Sequence, residues 1–345
     1  MIDKDKSDDK MTDESVGGTS DSRENPPAVF FRFDNPIEFN KEIDYLATLG
    51  FADCFSSYAV HMLRRISIIH LEPYIKKVIS SQTPPTLECV HDLVTIDRRF
   101  QAIVFKYIGI IEAQLRAQYS RLMALENGAF GLYDPASFFN EKQYKTSLRN
   151  AEKEANRRSK RDRRIEKRLK RDDGRISLGY AVECMSFGTL SRFITNTRSS
   201  QVRNGISKSF GIDYFQLKSW MRSLAVLRNT CAHFDCFLAL PQDPMPPVKL
   251  RGLEYNNQAP FSIAIVICRF IAENSYFKKS ELNYSYRLWR DLRDLLDEAQ
   301  EEMPEALSLI DVPKDFDVLM SNASIGQIMA QRTISEPGFA KTIEG

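Results

Sequence analysis

Residues Leu224 to His233 read Leu-Ala-Val-Leu-Arg-Asn-Thr-Cys-Ala-His and place an arginine, an amide and an imidazole within six positions, Arg228 to His233. On a helix of 3.6 residues per turn, Asn229 and His233 share a face, so the amide can fix the imidazole's orientation and tautomer. Arg228 lies about 140° round from His233, and its long side chain can still swing toward a common phosphate. A guanidinium that steadies oxyanion charge and an imidazole that moves a proton are the two groups that metal-free cleavage of RNA requires. Spacing alone is weak, because with four histidines in the chain about one such Arg-to-His match arises by chance. A second match exists, Arg64 and Arg65 before His70, but Ile66, Ile68, Ile69 and Leu71 surround it and it reads as a helix face.

The motif needs a helix that holds it. Asp213 is placed to cap one, Phe215, Leu217, Trp220, Leu224 and Leu227 give that helix a buried side, and the prolines of Pro241 to Pro247 end it. Upstream, a long helix or helix pair is predicted over 86–125 from the three-and-four spacing of Leu93, Ile96, Phe100, Ile103, Val104, Tyr107, Ile111, Leu115 and Tyr119. Glu112 and Arg116 form an i,i+4 pair that most simply supports that helix. A short helix over 37–49 closes at Gly50, and Asp53 is placed to cap the next, carrying Ala59, Met62, Leu63, Ile66 and Ile69 until Pro73 interrupts it. Core pattern returns over 177–198, where Gly188 allows a bend or close approach and Phe187 reads as core; helices over 260–276 and 280–302 follow. No strand-like alternation, glycine-rich phosphate loop or internal repeat occurs, so the fold class is all-α.

Charge is unevenly distributed. The formal net charge is only +2, yet residues 149–175 carry thirteen Lys or Arg against six Asp or Glu, with Ile165 and Leu169 almost the only large apolar residues. Such a stretch predicts an exposed, projecting basic helical arm whose Arg157, Arg158, Lys160, Arg161, Arg163, Arg164, Lys167, Arg168, Lys170 and Arg171 attract RNA phosphates. It lacks aromatic residues for base stacking. The six cysteines are scattered without a CxxC pair, which predicts reduced thiols, no metal centre and a cytoplasmic setting. No secretion signal and no apolar run of about 20 residues are present, so no membrane partner is expected. The expected organisation is an acidic disordered leader over 1–30, an N-terminal helical region over 31–135, the basic insertion over 136–176, a C-terminal helical region over 177–320 with the motif, and a flexible tail over 321–345.

Several segments, in order, resemble the Abi-like (abortive infection) family: Glu183 to Ser191 (Glu-Cys-Met-Ser-Phe-Gly-Thr-Leu-Ser), Phe210-Gly-Ile212, Leu217 to Trp220, and Leu227 to His233. Leu46 to Phe51, Ile96 to Phe100, Ile111 to Arg116 and Val312 to Phe316 fit the same pattern, so the resemblance spans roughly 37 to 317. It implies a HEPN-type helical bundle, with Arg228, Asn229 and His233 as the catalytic set of an endoribonuclease that needs no cofactor. It also implies a homodimer that joins two motifs, a setting in phage defence, and control by a partner such as a small RNA. The chain departs from the family immediately after the motif, where Phe234-Asp-Cys-Phe237 replaces the second His and the Arg-Leu-Trp-Asn-like run of many members. An active ribonuclease, a silent RNA-binding protein and a protein-interaction scaffold therefore stand as alternatives.

Overall fold

A computed structural model describes residues 39–81, 84–239, 256, 259–272 and 284–324, all within one compact unit spanning 33–345. The leader, most of the tail, the proline run and the first residues of the helix expected from 280 lie outside the described residues. Fourteen α-helices and no strand occur among the described residues, and one isolated bridge pairs Phe138 with Thr197. The all-α expectation therefore holds.

Helix α1 (Phe39–Thr48) ends before Gly50, whose φ of 92° turns the chain back. Helices α2 (Ser57–Leu63) and α3 (Ile68–Ser81) replace the single helix expected up to Pro73: the break falls at residues 64–67 and α3 carries Pro73 inside it. Ser56, not Asp53, caps α2, its hydroxyl accepting from the Ala59 N–H. Asp53 instead reaches 34 residues along the chain and accepts from the backbone N–H groups of Leu87 and Glu88 at 2.7 and 3.2 Å. It thus caps α4 (Leu87–Asn127) together with Thr86.

This 41-residue helix is the axis of the molecule. Val90, Leu93, Ile96, Phe100, Val104, Ile108, Ile111, Leu115 and Tyr119 are fully buried along it, each contributing about 1.5–3 kcal/mol of hydrophobic stabilisation. Around α4 pack α3, α7 (Leu178–Cys184), α9 (Ser200–Ser209), α10 (Tyr214–His233), α11 (Ile263–Ala272), α12 (Tyr284–Glu302) and α13 (Pro304–Ser308). Arg99 of α4 and Glu298 of α12 pair through two hydrogen bonds. Lys106 and Tyr107 both bond Asp291 of α12, at 2.7 and 2.8 Å. The last helix, α14 (Phe316–Ser324), packs on α11 and extends into the first residues of the expected tail.

The basic segment does not project. It forms α5 (Glu141–Ser159) and α6 (Arg163–Arg171), and α5 packs along α7 and α8 (Phe187–Asn196) through Tyr144, Ser147, Ala151 and Ala155. Spaced by three and four, Ser147, Ala151 and Ala155 continue this face as a narrow small-residue stripe that lets the helices approach. Ile165 and Leu169 then seat α6 on α5.

Candidate functional site

Helix α10 begins with a reciprocal cap. Asp213 accepts from the Gln216 N–H at 2.8 Å while the Gln216 side chain accepts from the Asp213 N–H at 3.4 Å. Leu217, Trp220, Met221, Leu224, Leu227 and Cys231 bury its inner face, with Trp220 against Phe270 at a centroid separation of 5.5 Å. Phe215 departs from expectation, being 70% exposed instead of lining that face. The helix stops at His233, before the proline run, because Phe234 turns left-handed at φ 55° and the Asp235 N–H returns to the Thr230 carbonyl at 3.0 Å. A phenylalanine in that region carries about 1–2 kcal/mol of strain.

What holds this strained end is Asp97 of α4, a fully buried carboxylate. It accepts from the Phe237 and Leu238 N–H groups at 2.8 and 3.1 Å, from the Tyr74 hydroxyl at 2.7 Å and from the Gln101 amide at 2.9 Å. That amide also donates to the Asp235 carbonyl at 2.8 Å. Burial pushes the Asp97 carboxyl and the Tyr74 hydroxyl upward from their ordinary ranges, the four hydrogen bonds opposing the shift for Asp97. Burial also lifts the Cys231 and Cys236 thiols to about 12, so both stay protonated at neutral pH.

Within one chain Arg228 and Asn229 meet, whereas His233 bonds neither of them. Arg228 is half-buried and turned toward α4, its Nε 3.8 Å from Glu112 and its guanidinium 5.8 Å from the Phe105 ring centroid. Glu112 also pairs with Arg116, whose Nη2 donates to the Met185 carbonyl at 2.7 Å. That carbonyl lies in the α7–α8 junction, where Ser186 caps α8 by accepting from the Thr189 N–H. Glu112 and Arg116 therefore connect the Ser-Phe-Gly-Thr-Leu-Ser segment to the Arg-Asn-Thr-Cys-Ala-His segment. One Arg228 Nη donates to Asn229 Oδ1 at 3.5 Å. His233 is exposed and has no hydrogen bond among the described residues, so the expected Asn229–His233 contact is not made.

Of the remaining expectations, His70 sits half-buried beside Tyr74, ring centroids 6.4 Å apart, while Arg64 and Arg65 belong to the preceding turn. Phe187 is core, and Gly188 faces open space instead of a close approach. Glu112, Arg116 and Asp97 are the partners that motif spacing does not point to. The local signal for them is charge next to the large apolar residues that recur at three and four along α4.

In the basic segment, charge is partly neutralised. Arg157 pairs with Glu154, Arg164 with Asp162, Lys170 with Glu166 and Arg171 with Asp172. The Arg164 guanidinium holds the Asp162 carboxyl down at about 2. Arg158 donates to the Glu183 carbonyl, and Arg168 lies 3.8 Å over the Tyr180 ring. Lys160, Arg161, Arg163 and Lys167 are exposed and meet no carboxylate among the described residues. Among the described residues no group of three or more His, Cys, Asp or Glu side chains gathers as a metal site, and no helix is long and apolar enough to cross a membrane.

No curated protein and no solved structure matches the chain. The model of one family does: that described as Abi-like protein matches residues 61–238, from α2 through the turn that Asp97 anchors. Since that match takes in just over half of the 345 residues, including α4, the basic pair of helices and the whole of α10, the chain belongs to the Abi-like family.

Proposed function

We propose that the chain is an RNA-binding protein of abortive infection, built as a HEPN-type bundle, that cleaves RNA without a metal under the control of a partner such as a small RNA. His233 moves a proton to or from the 2′-hydroxyl or the leaving oxygen, Arg228 steadies charge on the phosphorane, and Asn229 accepts from the Arg228 guanidinium beside it. Membership of the Abi-like family supports the defence role. The observation that carries the chemistry is an exposed imidazole at the end of the helix whose preceding turn holds an arginine oriented by Glu112. The free cations of α6 and of the turn before it supply phosphate attraction.

Because Glu112 draws Arg228 toward α4 while His233 stands in solvent, a single chain would have to swing Arg228 round α10 to bring both to one phosphate. A homodimer, in which one protomer's His233 meets its partner's guanidinium, removes that difficulty. The half-buried ion pair of Arg228 also favours a second reading, an RNA-binding protein without cleavage. Labelled RNA incubated in EDTA with the wild type, Arg228→Ala and His233→Ala separates the two. Cleavage by the wild type with a loss of about 100-fold or more in each variant is expected; equal activity in all three proteins removes the nuclease reading.

A further inference from the structure

The aromatic side chains missing from the basic segment occur elsewhere, at the other end of α10. Phe139, in the connection before α5, is 53% exposed. The Arg198 and Arg203 guanidiniums lie 5.4 and 5.1 Å from its ring centroid, and Arg203 is also 4.8 Å from that of Tyr214. Arg203 is thereby interleaved between two rings.

Both arginines are held by backbone carbonyls. Arg198 donates to Ala136 and Phe138 at 3.2 and 3.0 Å, and Arg203 to Ser199 and Arg198 at 3.3 and 3.4 Å. Neither meets a carboxylate among the described residues, so their positive charge stays available. Acids on the adjoining turns are engaged: Asp213 in the α10 cap, and Glu126 by the Ser199 hydroxyl.

From this platform an exposed stripe runs down α10. Phe215, Lys218, Arg222, Val226, Asn229 and His233 are all exposed, and their spacing of three and four confines them to an arc of about 80°. Lys218 and Arg222 make no ion pair or hydrogen bond among the described residues. The eighteen steps from Phe215 to His233 cover about 27 Å. That is the length of roughly eight stacked nucleotides, or fewer extended ones.

From this arrangement we infer that single-stranded RNA binds along α10, its bases stacking on Phe139, Tyr214 and Phe215 and its phosphates meeting Arg198, Arg203, Lys218 and Arg222, so that the strand is delivered to His233. The exposed rings of Phe139 and Phe215 and the half-buried ring of Tyr214, interleaved with uncompensated cations, suit unpaired bases, whose faces a duplex hides. The inference rests on the RNA reading of the motif but assigns a separate surface, and it commits to the single-stranded form.

The test uses the full chain and a fluorescent 2′-O-methyl oligouridine of twelve nucleotides, which cannot be cut through its 2′-oxygen, beside a matched duplex. The substitutions are at exposed positions, and thermal melting verifies that the variants fold. Phe139→Ala with Phe215→Ala should weaken the single strand about tenfold or more and the duplex much less. Lys218→Ala with Arg222→Ala should lower the slope of log affinity against log salt by about 1.4. If the wild type binds the oligonucleotide and both double variants bind it equally well, the α10 track is wrong while the RNA reading stands. If the wild type binds no RNA at low salt, both fall. Should the variants instead shift the protein from dimer to monomer by light scattering with affinity per chain unchanged, the stripe is an interface between copies and the track is again overturned.

Discussion

Glu112 is a half-buried carboxylate between two guanidiniums, Arg116 and Arg228, so its charge decides how both are held. Removing that charge leaves two like charges facing one another at a site of reduced solvent screening. Glu112→Gln keeps the shape and should lower the rate constant of RNA cleavage about tenfold with little change in KM, since a loosened Arg228 affects the transition state more than binding. Glu112→Asp should recover part of the rate; a role confined to stability would lower the melting temperature of both variants without splitting kcat from KM. Asp97 has a different task. Asp97→Ala strands the Phe237 and Leu238 N–H groups, the Tyr74 hydroxyl and the Gln101 amide, and should cost at least about 3 kcal/mol in urea unfolding. The same variant should speed amide hydrogen exchange across 231–238, because it leaves the Gln101 amide on the Asp235 carbonyl as the one remaining hydrogen bond among these contacts that ties the left-handed turn to α4.

At the scale of elements, the junction of α4 with α13 carries a strain of charge. Asp92 faces Glu88 one turn earlier and Glu305 of α13, and burial, reinforced by those two carboxylates, raises its carboxyl to about 6. A folded-state pKa above the unfolded value means that the native state binds the extra proton. Stability from this site is therefore fully present below about pH 4 and is lost as pH rises through 6. Asp92→Asn should flatten that part of the pH profile and stabilise the protein at pH 7.5 by about 1–2 kcal/mol, a figure reduced for solvent screening at a half-buried site. A denaturation series from pH 4 to 8 that shows identical slopes for the two proteins would contradict it. The long helix and the motif helix were legible in sequence because large apolar side chains recur at three and four, and Asp213 stands as a cap at the start of the second. What escaped was carried by other means. Asp53 caps across 34 residues, which no local pattern reveals. α5 docks through Ser147, Ala151 and Ala155, too small to register as a hydrophobic stripe beside thirteen cations. Phe215, apolar by type, falls on the solvent arc of α10, where its angle and not its chemistry decides exposure. The Glu112–Arg116 pair was legible but its link to Arg228 was not, because an i,i+4 pair on one helix looks the same whether or not a third charge from another helix completes it.

For the molecule as a whole, the decisive question is whether one chain or two make a working site. About 140° of helix rotation separates Arg228 from His233, and the first is drawn toward α4 by Glu112 while the second stands in solvent. Exposed Phe105 beside Arg228 and exposed Phe234 next to His233 are apolar groups suited to a two-fold contact in which the same patch serves both protomers. If two copies share the chemistry, a dimer of one Arg228→Ala chain and one His233→Ala chain still holds one intact arginine and one intact histidine. Neither homodimer does. Co-expressing the two variants with different affinity tags and isolating the doubly tagged species should therefore restore RNA cleavage to a measurable fraction of the wild-type rate, while each variant alone stays inactive. Recovery requires the surviving arginine and histidine, which sit on different chains, to act on the same phosphodiester. A doubly tagged dimer as inactive as its parents would mean that each protomer needs its own complete set, and Arg228 would then have to leave Glu112 and swing round α10 during each turnover.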